Sequence, residues 1–119
     1  MAFKMTEQAY LVLLALAEEP RHGYAIVQQV RDLSDGDVRL GAGTLYGILD
    51  RLVVAALAEA SGEIIVDGRL RRYYRLTDAG HGALATETAR IAALARRAQR
   101  VLGAGPRATV RPRPALGSI

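Results

Sequence analysis

The chain contains no cysteine and no tryptophan, one phenylalanine and only two histidines. Without cysteine there are no disulfides and no thiolate-based zinc site. Two histidines without ligand spacing do not make a metal centre. No nucleophile–base pair and no glycine-rich phosphate loop supports catalysis or a bound cofactor. The expectation is a protein that is not an enzyme and carries no metal and no cofactor. The apolar run Tyr10 to Ala17 is far shorter than the roughly 20 residues that a membrane span needs, and nothing resembles a signal peptide. No membrane partner is expected, and the expected location is cytoplasmic.

Acidic residues are outnumbered, but not by much. The 119 residues carry 16 Lys and Arg against 12 Asp and Glu, a formal net charge of +4, with a pI of about 10.0. Three of the basic residues, Arg107, Arg111 and Arg113, lie near the C-terminus, and sixteen less those three leaves 13 against 12. A basic footprint for an anionic partner must therefore come from clustering. The length suits one domain that buries about two thirds of its unfolded surface, enough for a modest core without staples.

Thr6 as N-cap and Glu7 in the first turn start a helix that Glu18-Glu19-Pro20 ends. Its centre is apolar nearly all round, so it is buried on more than one side. Either it is the central helix of the chain's own core, or a second subunit covers part of it through Leu11 and Leu14. Arg21-His22-Gly23-Tyr24 opens a second helix, with Ala25, Ile26, Val30 and Leu33 as its buried stripe and His22 as a local capping residue. Ser34-Asp35-Gly36-Asp37 is a turn, and Val38-Arg39-Leu40 suits one small strand.

The stretch Gly41 to Leu52 is the centre of the functional reading. Leu45, Ile48, Leu49 and Leu52 recur at helical spacing and form one apolar face. Thr44, Tyr46, Gly47, Asp50 and Arg51 occupy the other. That outer face begins with small residues, so it can approach a nucleic-acid groove closely, with free N–H groups favouring a phosphate. An incidental polar face on a core helix is the plainer reading of this stretch alone, and the basic hairpin that follows it raises the nucleic-acid reading. Glu63-Ile64-Ile65-Val66 and Arg69 to Leu76 read as two strands joined at Asp67-Gly68, a strong hairpin signal because a type I′ turn needs positive φ twice. Parity puts Leu70, Tyr74 and Leu76 toward the core and Arg69, Arg71, Tyr73 and Arg75 on the opposite face, with Arg72 near the tip.

Helix, helix, short strand, helix, basic hairpin, long helix is the winged helix-turn-helix plan, in which the third helix enters the major groove. The fold class expected is mainly α, an α+β winged helix with three helices, a two-stranded wing and a C-terminal dimerisation helix. Leu14-Ala15-Leu16 with Pro20, His22-Gly23-Tyr24, Gly43-Thr44-Leu45-Tyr46 with Arg51-Leu52, and Arg72-Tyr73-Tyr74-Arg75-Leu76-Thr77 followed by Ala79-Gly80 stand in one order over residues 6 to 84. In these segments the chain resembles the PadR family of bacterial transcriptional regulators. The resemblance implies a homodimeric, sequence-specific double-stranded DNA-binding regulator, usually a repressor, sometimes relieved by a small hydrophobic or phenolic effector. It places Gly43, Thr44 and Tyr46 at the start of the recognition helix, Arg51 farther along it, and Arg72 on the wing beside Arg69 and Arg71. Asp50 stands where the family often has a basic residue, and Val53-Val54-Ala55-Ala56 replaces a helix end that usually contains Glu and Gly. Without tryptophan, a flat ligand cannot be sandwiched by indoles as in some relatives.

Thr77 caps the last helix. Leu84, Thr88, Ile91, Ala95, Ala98 and Leu102 recur in steps of four and three, a heptad-like seam expected to form a dimer clamp. The organisation expected is a DNA-binding domain over 1–77, a dimerisation helix over 78–102 and a disordered tail over 103–119, where Gly, Pro, Ala and Arg dominate. The rival reading is a winged-helix module that binds protein without binding DNA; Asp50 favours it and the arginines oppose it.

Overall fold

The computed structural model describes residues 3–104, so the tail arginines lie outside the described residues. The elements are α1 (Glu7–Glu18), β1 (Arg21–His22), α2 (Gly23–Leu33), α3 (Ala42–Val54), β2 (Ala58–Val66), β3 (Arg69–Leu76) and α4 (Asp78–Gly103). The chain divides into two compact units, Met1–Glu87 and Thr88–Ile119, and α4 begins in the first and ends in the second.

In the first unit, α1 is the central helix. Thr6 Oγ1 accepts from the Ala9 N–H at 3.1 Å and caps it. Val12, Leu13 and Ala15 are fully buried, and α2, α3 and β3 all pack on this helix. Its all-round apolar character is thus explained within the chain, where Leu11 is buried and Leu14 half-buried. α1 has no basic residue in its last turn; Arg21 supplies one from outside, donating from Nε to the Ala15 carbonyl at 2.7 Å. A cation there suits the negative end of the helix dipole.

The sheet has three antiparallel strands in the order β1-β3-β2, not two. Arg21 and His22, expected to open the second helix, instead pair with Tyr74 and Tyr73. Two residues carry no period of their own; the pairing comes from the distant strand. His22 then caps α2 as expected, its Nδ1 accepting from the Ala25 N–H at 3.3 Å. Val38–Leu40 joins no sheet. The Val38 N–H goes to Ser34 Oγ at 2.9 Å and Leu40 is buried in the core. Leu33, expected in the buried stripe of α2, is exposed beside this turn.

The C-terminal ends of α2 and α3 both close with Schellman motifs. After α2, Asp35 takes φ 55°, with its N–H on Asp32 O and the Gly36 N–H on Arg31 O. After α3, Ala56 takes φ 61°, with its N–H on Val53 O and the Leu57 N–H on Leu52 O. Ala56 therefore occupies the position where a glycine would sit without strain. The Leu57 carbonyl accepts from the Thr77 N–H, and the Thr77 hydroxyl donates to the Ala56 carbonyl at 2.6 Å, so the end of α3 is tied to the start of α4. A Cβ on Gly80 would overlap that same Leu57 carbonyl, which is why the first turn of α4 needs a glycine.

Candidate nucleic-acid interface

The inner face of α3 is locked. Leu45, Ile48, Leu49 and Leu52 are each at most 1% exposed, as their helical spacing requires. Gly43, Thr44, Tyr46 and Arg51, the residues read as DNA-facing, are all exposed on the outer side, with Asp50 beside them. Gly41 is the N-cap and makes no side-chain cap bond, so the first N–H groups of α3 are not covered by a cap side chain. A helix N-terminus with free N–H groups and small residues is suited to a close approach by phosphate.

The wing is the β2–β3 hairpin. Asp67 (φ 52°) and Gly68 (φ 77°) make its turn as expected. β2 begins at Ala58, well before Glu63, and a bulge at Ser61 between Ala60 and Gly62 resets the register. Beyond the bulge, every residue from Gly62 to Leu70 is exposed. Leu70 is 64% exposed, contrary to its expected core position: it has the parity of Tyr74 and Leu76 but lies past the edge of the core. Its cross-strand partner Ile65 is exposed with it. Arg69 is exposed on β3. Arg72 is exposed and sits 3.9 Å from Glu63, while Arg75 and Glu59 pair at 3.0 Å. Exposed pairs of this kind contribute little. Arg71 is half-buried, and its buried Nε has no hydrogen-bond partner. Arg71 lies on the His22 side, where His22 meets Tyr73 edge-on with ring centroids 5.2 Å apart. Burial, and secondarily the Arg71 charge, holds the His22 imidazole below its usual range and so keeps it neutral as a cap.

An open cleft of about 560 Å³ lies between the N-terminal segment and the C-terminal half of α3, lined by Phe3, Lys4, Thr6, Asp50, Arg51, Val54 and Ala55. Among the described residues no cluster of His, Asp or Glu could hold a metal ion. No helix among them is long and apolar enough to cross a membrane.

A model of the PadR-like family of transcriptional regulators matches residues 12–86. The chain belongs to this family. It is 42% identical over 85 residues to a transcriptional regulator of Mycobacterium tuberculosis, covering 71% of this chain and 76% of that protein. Its fold is similar to the crystal structure of a PadR family transcription regulator from Clostridium difficile, with a TM-score of 0.71 at 24% identity over 82% of this chain and 99% of that one. It is also similar to a PadR family regulator from Eggerthella lenta, with a TM-score of 0.62 at 31% identity over 80% and 83%. The winged-helix fold read from element order is thus the fold of PadR regulators, and its sheet has three strands where two were expected.

The residues expected at a PadR dimer seam fall into two groups. Leu84 is buried in the core with Leu11. Thr88, Ile91, Ala95, Ala98 and Leu102 are exposed on α4. Sequence reasoning passed over Leu94 and Val101, which are also exposed on that helix. With Ile91 and Ala98 they follow steps of three and four, a heptad pattern as regular as the one expected. The missed signal was that two seams, one residue out of phase, share Ile91 and Ala98.

Proposed function

We propose that the chain is a homodimeric transcriptional repressor that binds a two-fold DNA operator, with α3 in the major groove and the wing on the adjoining backbone. The observation that carries this reading is the outer face of α3. Gly43, Thr44, Tyr46 and Arg51 are exposed on a helix whose other side is locked into the core, beside a hairpin bearing Arg69, Arg71 and Arg72. Base contacts from a rigid helix and phosphate contacts from a basic hairpin are the two components of specific binding. Within this reading, residues 1–77 form the DNA-binding domain and 78–102 the dimer helix. Ile91, Leu94, Ala95, Ala98, Val101 and Leu102 give the dimer helix an exposed apolar stripe of the kind that a second copy covers. A small hydrophobic or phenolic effector belongs to the reading through the family resemblance; its natural seat is the subunit interface, where a ligand changes the half-site spacing.

Selection from a randomised duplex pool tests the proposal. The enriched site should be two-fold, with half-sites about one helical turn apart or a multiple of it. Ile91→Glu, which puts an unpaired charge into the seam, should give a monomer in sedimentation and lose the two-fold site. A pool with no enriched sequence would sink the DNA reading. It would favour the rival protein-binding module, for which the exposed Ile65 and Leu70 at the wing tip speak.

A further inference from the structure

Gly23, the first residue of α2, is buried, and its backbone is not in the left-handed region that requires glycine. What it provides is space. A Cβ there would stand 2.5 Å from Tyr46 Oη, 3.1 Å from Tyr46 Cζ and 3.4 Å from Leu45 Cδ2. The glycines at the start of α3 are different: a Cβ on Gly41 or Gly43 would meet nothing within 4 Å. The empty volume at Gly23 is filled by the end of the Tyr46 ring, which crosses from α3 to the first residue of α2.

We infer that Gly23 is a positioning residue for DNA recognition: by lacking a side chain it lets the Tyr46 phenol rest on the start of α2, and this contact fixes the ring on the recognition face. The inference rests on the reading of α3 as the DNA-facing helix. Tyr46 is 47% exposed, so one side of its ring faces solvent while its hydroxyl end is held. A tyrosine has two side-chain torsions and offers a large, rigid contact surface when they are fixed. A methyl group at position 23 does not have to move either helix, because the phenol can rotate outward about those torsions. The result is a change in where the ring points while the core keeps its packing. Gly23 therefore acts on recognition through Tyr46 and not on the fold. After the two Tyr46 atoms, the next nearest to the added carbon is a methyl of Leu45 at 3.4 Å, the near edge of ordinary contact.

Gly23→Ala, Tyr46→Phe and Tyr46→Ala are made singly, and Gly23→Ala is combined with each tyrosine variant. Affinity is measured for the duplex enriched from the randomised pool. Gly23→Ala should melt at the parent temperature or higher, since alanine is favoured over glycine in a helix, yet bind roughly tenfold more weakly, the loss of about one good contact. Adding Gly23→Ala to Tyr46→Phe should cost less than it costs the parent, because the hydroxyl that meets the new methyl is gone. Adding it to Tyr46→Ala should cost nothing further. In the free protein, ring protons of Tyr46 should show nuclear Overhauser contacts to the Gly23 α-protons, and Gly23→Ala should shift those ring resonances. Parent-like binding by Gly23→Ala, an equal loss in the Tyr46→Ala background, or a large fall in melting temperature would each overturn the inference. If no duplex is enriched, the DNA reading fails on its own, and the ring resonances decide whether Gly23 positions Tyr46.

Discussion

The proposed recognition helix, α3, rests on Leu45, Ile48, Leu49 and Leu52, all essentially inaccessible, whereas the outer wing has no buried residue from Gly62 to Leu70. Both carry cations toward the same proposed partner. The helix cannot shift without disturbing the core, so its outer side chains are presented at fixed positions. The wing is held by its strand ladder, to which its exposed ion pairs add little, and it can adjust. Reading bases requires fixed geometry, while contacting phosphates tolerates adjustment because the backbone charge is uniform. Under the proposed function, the contrast would give sequence discrimination to α3 and charge-based affinity to the wing.

The strongest way to break this contrast is to remove packing from each region in turn. Leu49→Ala should destabilise the protein by about 2–5 kcal/mol, the usual cost of a buried leucine truncation. Ile65→Ala, at the 71% exposed wing tip, should change stability by no more than about 0.5 kcal/mol. Urea denaturation monitored by circular dichroism checks both. A large effect at Ile65 would mean that the wing is packed after all.

The junction between the two regions gives a smaller effect of opposite sign. Ala56 sits at φ 61° between the end of α3 and the start of β2. A left-handed backbone costs a non-glycine residue roughly 1–2 kcal/mol. Ala56→Gly should therefore stabilise the protein by about 1 kcal/mol, less the entropy that glycine adds to the unfolded chain. The same denaturation experiment measures it; no gain would mean that the turn relaxes around alanine without strain.

The smallest expected effect concerns His22, which joins the wing strand to α2. Burial and the nearby Arg71 charge lower its folded pKa below the unfolded value of 6.5. A depressed pKa means that the unfolded chain binds more protons, so stability rises with pH. The contribution is complete above about pH 6.5 and is lost as pH falls through the folded pKa. Protonation would also remove the Nδ1 acceptor that caps Ala25. Melting temperature should fall as the solution is acidified below that point, and His22→Asn, a cap that does not titrate, should flatten this part of the profile. An unchanged profile would show that the imidazole does not couple to folding.

Local rules carried much of this structure. Thr6, Thr77, Pro20 and the Asp67-Gly68 turn marked element ends that the structure keeps, and the 3.6-residue period found the buried face of α3. The features that escaped depend on distant partners. The two residues of β1 become a strand only because Tyr73 and Tyr74 lie beside them. Leu70 had the correct parity, but parity does not say how far the core extends. Gly23 reads from sequence as a helix-start glycine that permits a close approach, but the group that approaches, the Tyr46 ring from another helix, is visible only in the structure. The residues proposed to face DNA were picked out from sequence because exposed small, phenolic and basic side chains on a half-buried helix need no tertiary information to stand out, and the structure places them on the exposed side.

The division between helix and wing is tested most directly by measuring affinity for the enriched operator and for a scrambled duplex over a range of salt concentrations. The parent is compared with Tyr46→Ala/Arg51→Ala and with Arg71→Ala/Arg72→Ala. The α3 variant should lose most of the ratio between operator and scrambled duplex. The wing variant should keep that ratio, bind both duplexes more weakly, and show a salt slope reduced by about one to two units, roughly one per lost phosphate contact. A wing variant that loses the ratio, or a folded α3 variant that keeps it, would contradict the account.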